Sequence, residues 1–193
     1  AKYPLTAPGQ VTKNSVADIS NAQVVLQKID GPIQFFVQAG EYSTPTLGMP
    51  YLRSSKTTSE YYGGLPTAYI KLVPNDTFSF QAGKLPTLLG AEYTFTYENT
   101  NIQRGLLWAQ ENVFTRGVQA NYAKGPVTVS VQYGDGFYTK DWKWLTASAS
   151  YTINDSNTIS VAAGGNIDKT KNSDISSLNV ATAQLANSQV YNL

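Results

Sequence analysis

Apolar and polar residues alternate along this chain in short runs, and the runs come in pairs. An alternation opens at Val16 and settles into Ala22, Val24 and Leu26 on one parity, with Gln23 and Gln27 on the other. After Asp30-Gly31-Pro32, Ile33, Phe35, Val37 and Ala39 alternate with Gln34 and Gln38, a pattern that Phe36 breaks. The design then repeats. Ala68, Ile70 and Leu72 turn at Pro74-Asn75-Asp76 into Phe78, Phe80 and Ala82. Val118, Ala120 and Tyr122 turn at Lys124-Gly125-Pro126 into Val127, Val129, Val131 and Tyr133. Leu145 to Ile153 turns at Asn154-Asp155-Ser156-Asn157 into Ile159, Val161 and Ala163. A period of two bounded by Gly, Pro, Asn and Asp is the signature of β-hairpins. The final residues, Ser188 to Leu193, read as the first half of a ninth strand.

Between the hairpins the connections are long: 43–64, 86–112, 134–141 and 166–188. Tight turns alternating with long loops are the habit of outer-membrane barrels, whose periplasmic turns are short and extracellular loops long. The polar parity is small and uncharged (Gln, Ser, Thr, Asn, Gly), which suits a water-filled lumen. The apolar parity suits lipid. Tyr42, Tyr122, Tyr133, Trp142 and Tyr151 stand near strand ends, where interfacial aromatic girdles belong. The predicted fold is all-β: a transmembrane antiparallel up-and-down β-barrel, about eight strands visible, read as one partial domain over 1–193. Residues 1–15 read as a leader or loop.

Composition narrows the function. The chain has 193 residues, a net charge of +1, no cysteine and no histidine. The charge balance gives no electrostatic case for nucleic acid. Without histidine or cysteine there is no Ser-His or Cys-His nucleophile pair, no thiolate metal site and no disulfide framework. No run approaches the roughly 20 apolar residues of a membrane helix, but barrel strands are apolar on alternate positions only. The mean hydropathy of −0.26 is therefore compatible with a barrel.

The loop at 86–112 and its flanks concentrate charge in a chain that is only 14% charged: Lys84, Glu92, Glu98, Arg104, Glu111 and Arg116. Tyr93, Phe95, Tyr97 and Trp108 lie among them. Connections beyond about 12–15 residues are usually functional, and charged side chains at a constriction set pore selectivity. Folded into the lumen, Lys84, Arg104 and Arg116 would face Glu92, Glu98 and Glu111 in a transverse field. Outside the barrel, the same charges would be ordinary solvated surface. Arg116 shares parity with the lipid-facing Val118 and Ala120, so it either sits at the rim or follows a bulge at Gly117. As an acid–base pair Glu92 and Glu98 are a weak signal, and no enzymatic role is expected. Asp135-Gly136 and Asn154-Asp155-Ser156-Asn157 read as turn chemistry rather than calcium ligands. Gly83-Lys84-Leu85-Pro86 lacks the spaced glycines of a phosphate loop.

Gly83-Lys84-Leu85-Pro86-Thr87-Leu88-Leu89-Gly90-Ala91-Glu92-Tyr93-Thr94-Phe95, followed by Glu98-Asn99, Asn101 to Trp108, Gln110-Glu111-Asn112 and Arg116-Gly117-Val118-Gln119, resembles a family of β-barrel porins of Gram-negative bacteria. Asp135-Gly136-Phe137-Tyr138, Trp144-Leu145 and Ala162-Ala163-Gly164-Gly165-Asn166 look like the same family. The resemblance runs from about residue 22 onward. It implies an outer-membrane channel and supplies no catalytic residue, cofactor or metal. Members are longer chains, so this one looks like the first half or middle of a larger barrel.

The expectation is a passive porin for small polar solutes or ions, surrounded by lipid bilayer and lipopolysaccharide. A homo-oligomer would be ordinary for a porin, although nothing marks a subunit interface. The alternatives are a non-conducting outer-membrane barrel with a structural or adhesive role, and a soluble secreted β-sandwich that binds carbohydrate with its loop aromatics.

Overall fold

A computed structural model describes residues 17–48, 51–105, 108, 111–136, 140–168 and 189–192. The expected leader at 1–15, the start of alternation at Val16 and most of the 166–188 loop lie outside them, as do Phe137 and Tyr138. Among the described residues nine strands form one antiparallel sheet in sequence order: β1 Asn21–Lys28, β2 Ile33–Tyr42, β3 Thr67–Leu72, β4 Phe78–Pro86, β5 Phe114–Lys124, β6 Val127–Gly134, β7 Trp144–Asn154, β8 Asn157–Asn166 and β9 Gln189–Asn192. Each strand pairs only with its sequence neighbours, so β1 and β9 are the edges of an open sheet, as in part of a barrel. The connections 29–32, 73–77, 125–126 and 155–156 all lie at one end. Those at 43–66, 87–113 and 135–143 lie at the other, where β8 also ends and β9 begins. The first long connection is not plain loop: it carries a short helix, α1 Ser54–Thr57, that widens into a π turn over Thr58–Tyr62. Among the described residues no helix is long and apolar enough to cross a membrane, and the crossing elements are strands.

The register explains the alternation. Val24, Ile70, Phe80, Val118, Val131, Leu145, Ile159 and Val161 all lie on one face, and each is 40% or more exposed. An apolar face this broad left open on a folded sheet is a face for lipid. Its charged residues stand at the strand ends: Lys28 and Lys124 at the turn end, Glu41, Lys84 and Arg116 at the loop end. The aromatics divide in the same way. Phe78 and Tyr122 (ring centroids 5.3 Å apart) and Tyr151 lie toward the turns, whereas Tyr133 meets Trp142 edge-on at 6.0 Å toward the loops. Tyr42 is a correction to the girdle expectation. It is fully buried and packs edge-to-face on Phe95 at 5.5 Å.

On the opposite, inner face Phe36 is the expected exception to the alternation, and the register gives it a partner. It is the register partner of Tyr69 and stacks on it, centroids 5.6 Å apart and planes 16° from parallel. Such a pair contributes about 0.5–1.5 kcal/mol beyond area burial, enough to hold an apolar ring on a largely polar wall. One row of direct partners continues from this pair: Tyr69, Gly83, Gly117, Gly134, Trp144 and Asn166. Gly83 has φ +142°, and a Cβ there would lie 2.2 Å from the Ala68 carbonyl oxygen. At Gly117 a Cβ would lie 2.2 Å from the Tyr133 carbonyl oxygen. Glycine kinks of this kind bend a sheet that must curve.

Two outcomes test this architecture. Gly83→Ala should destabilise the folded protein by about 1–3 kcal/mol, read as a lowered urea midpoint in detergent micelles. Ala120→Arg, on the outer face at mid-strand, should cost about 2–4 kcal/mol in a bilayer, whereas Ser148→Arg, on the inner face, should cost far less in the same vesicle-refolding assay.

Candidate pore loop

The connection 87–113 lies against the inner face of the sheet on two sides. On one side, Phe36, Gln38, Thr67 and Tyr69 of β2 and β3 share a cavity of about 420 Å³ with residues 86–95 and Glu98. On the other, Leu88, Gly90 and Ala91 share a cavity of about 560 Å³ with Thr128, Ser148, Ser150, Thr158 and Ser160 of β6, β7 and β8. The same short piece of chain, Leu88 to Ala91, touches both. The sheet therefore curves around it, and the inner face is concave.

Inner-face amides hold the loop at two points. Gln132 donates from Nε2 to the Pro86 carbonyl at 2.9 Å, and Gln38 bonds through Nε2 to the Tyr97 hydroxyl at 2.9 Å. Both glutamines are nearly fully buried. Leu89, 1% exposed, packs beside Gly164, where an added Cβ would lie 3.1 Å from Leu89 Cδ1, so the glycine eases a tight fit. A buried cluster of Tyr42, Phe95, Trp108, Val113 and Phe114, with Tyr62 against it, anchors the base of the loop to the ends of β2 and β5.

The charges predicted to line a constriction take different places. Arg104 is 1% exposed and works inside the loop. Its guanidinium donates to the Thr94 carbonyl, to Thr96 Oγ1 at 3.3 Å and to the Ile102 carbonyl at 3.4 Å, and it lies 5.6 Å from the Trp108 ring centre. Its backbone bridges Thr46 of the preceding long connection. Glu92 accepts the Gly105 amide on both carboxylate oxygens, at 2.9 and 3.0 Å. Glu98 accepts the Phe95 amide at 3.1 Å and closes the single 3₁₀ turn Thr96–Glu98. Glu111 is buried against Gly90, where any Cβ would collide with its carboxylate.

Lys84 and Arg116 are direct register partners on the outer parity at the loop end. Lys84 donates to the Leu65 carbonyl at 2.7 Å, and Arg116 pairs with the buried Asp135, Nε to Oδ2 2.6 Å. The β4–β5 pairing runs unshifted from Phe78↔Tyr122 to Pro86↔Phe114, so Arg116 is a rim residue and no bulge at Gly117 redirects it. The fold brings Lys84 to Arg116 and Arg104 toward Glu92 and Glu98. It does not set the three cations opposite the three glutamates.

Residues 6–193 match the family described as "Putative beta-barrel porin-2, OmpL-like". The chain belongs to this family. Membership in porin-2 implies an outer-membrane β-barrel of the porin type in a Gram-negative bacterium, in families that are typically non-enzymatic. It displaces the soluble-sandwich alternative, which the lipid-suited outer face had already made hard to sustain. No curated protein matches the chain.

The sequence pattern missed the residues that seat the loop in this porin-2 chain: Gln38, Gln132, Leu89 and Asp135. Gln38 and Gln132 looked like two more members of a polar parity. Their burial was the distinguishing property, and alternation carries no measure of burial. The aspartate of Asp135-Gly136 was expected to carry turn chemistry; its side chain instead accepts the Arg116 amide and guanidinium at the rim, a role that needed the β5–β6 register.

Arg104→Ala should loosen the loop by about 1.5–3 kcal/mol, the worth of hydrogen bonds to a charged group. The expected outcome is faster protease cleavage within 87–113 with the heat-dependent gel shift of the barrel unchanged. Arg104→Lys should rescue little, since a point ammonium cannot reach the same fork of acceptors.

Burial raises the Glu98 carboxyl above the ordinary glutamate range, against the lowering effects of the Phe95 amide and of Arg104. The folded loop therefore binds this proton more tightly than the unfolded chain, and its contribution is lost as pH rises through the raised value. Amide exchange at Phe95 and Glu98 should slow as pH falls through that window, after correction for intrinsic rates. Glu98→Gln should remove the dependence.

Proposed function

We propose that this protein is a passive diffusion channel for small polar solutes or ions, and that the 87–113 loop forms its constriction. The observation that carries the reading is the double contact of Leu88 to Ala91 with the inner walls of β2–β3 and β6–β8. A loop lying across a concave polar face narrows whatever path runs along that face. The wall beside it is hydrated in character: Gln81, Gln119, Asn121, Ser130, Ser148 and Ser160 share the inner parity. In this reading Glu92 and Glu98, which border the β2–β3 cavity, supply the constriction's charge. Arg104 and Glu111 shape the loop from within, and Lys84 and Arg116 lie at the rim.

The test is single-channel conductance of the native protein in a planar bilayer. Ala91→Trp, which would fill space between loop and wall, should lower the unit conductance by half or more. Ala147→Trp, on the outer face of β7, should leave it unchanged. Arg116→Ala should not move ion preference. A folded barrel without conductance steps would sink the channel reading and favour a structural or adhesive barrel.

A further inference from the structure

The cavity between the loop and β2–β3 has a composition that selects a ligand class. We propose that it is a binding station for organic ammonium ions on the permeation path, an inference that rests on the channel reading above. One wall is the stacked Phe36–Tyr69 pair, and the border carries Glu92 and Glu98. Lysine and arginine are both absent from its lining. Aromatic faces attract cations through the ring quadrupole, and carboxylates favour them by charge. A volume of about 420 Å³ suits one small solute.

The nearby cations offset this bias only in part. Arg104 interacts electrostatically with both Glu92 and Glu98, but it directs its hydrogen bonds to Thr94, Thr96 and Ile102, and none goes to a carboxylate among the described residues. On the inner parity of the described strands, Lys71 is the one charged residue. It sits two positions from Tyr69 toward the turn end, roughly 6.6 Å along the strand, and does not border the cavity. Along 87–113 itself the charges are Glu92, Glu98 and Glu111 against Arg104, a net of −2.

A neutral sugar could use the aromatic wall but would leave two partly desolvated carboxylates with Arg104 as their one nearby cation, which hydrogen-bonds to neither. An anion would meet those carboxylates directly. An ammonium group satisfies both the rings and the acids. The same arrangement makes the constriction cation-preferring for simple salts.

The experiment is calorimetric titration of the native protein in detergent micelles with phenyltrimethylammonium chloride, with glucose and benzyl alcohol as neutral comparators. Bilayer reversal potentials in a potassium chloride gradient are measured in parallel. The ammonium should bind at least tenfold more tightly than either comparator. Glu98→Gln and Tyr69→Leu should each weaken it fivefold or more, while Tyr69→Phe keeps the ring and the binding. The heat-dependent gel shift confirms that each variant is folded.

A cation-selective reversal potential that declines in Glu98→Gln supports the proposal. Conductance with no ammonium binding, with binding unchanged in both variants, or with glucose preferred overturns the station and leaves the channel. Ammonium binding without any conductance keeps the site and removes the channel reading, and with it the place of the site on a permeation path.

Discussion

Hydrocarbon offers no partner to a backbone amide, so a strand in a bilayer must find both of its ladders in neighbouring strands. The rest of this structure follows from that requirement. Each interior strand pairs with both of its sequence neighbours, and antiparallel order lets tight turns join them at one end. Once the ladders are fixed, alternation assigns every side chain to lipid or to the concave side. The apolar parity of Val, Ile, Leu, Phe and Ala then becomes an outer band, with charges held to its margins. A sheet of this kind must also curve, and the glycine row across β4, β5 and β6 occupies positions where a Cβ would strike the adjacent backbone.

Curvature is what gives the loop somewhere to go. The chain leaves β4 at Pro86, is caught by Gln132 of β6, brings Leu89 close to Gly164 of β8, and returns past Gln38 of β2. Little of this hold is ionic. It combines neutral amide bonds, a buried aromatic cluster and one arginine that binds carbonyl and hydroxyl oxygens. Hydrogen bonds of a buried group are costly to lose because the freed donor has no water to turn to, so the loop is seated by penalties for leaving as much as by attraction. The arrangement also separates two tasks that the sequence merges. Arg104 maintains shape, while Glu92 and Glu98 stand at the edge of a cavity.

The rim makes a related point about charge. Lys84 and Arg116 are adjacent like charges on the outer parity, which would be unfavourable at mid-bilayer. They stand at the loop end, where the Leu65 carbonyl and the buried Asp135 receive them. The carbonyl and carboxylate that receive the two cations come from neighbouring connections, so the loop end of the sheet is knit together by the residues that mark its edge.

How much of this the sequence carried depends on the range of the interaction. Strand existence, parity, turn positions and the long-loop/short-turn rhythm are encoded at neighbouring residues, and the hairpins read from Ala22 to Ala163 appear as β1 to β8. The family could also be read there, because its motif is a run of consecutive residues from Gly83 onward. Tertiary structure decided everything that needed two distant parities at once. Phe36 is an apparent error in the pattern until β3 places Tyr69 beside it. Tyr42 has the position of a girdle residue until the loop brings Phe95 onto it. Arg104 looks like a constriction charge until its partners, Thr94, Thr96 and Ile102, enclose it. Alternation says which side of a sheet a residue faces. Only the curved sheet, with its own loop laid across the concavity, determines whether that side is lipid, protein or the open cavity.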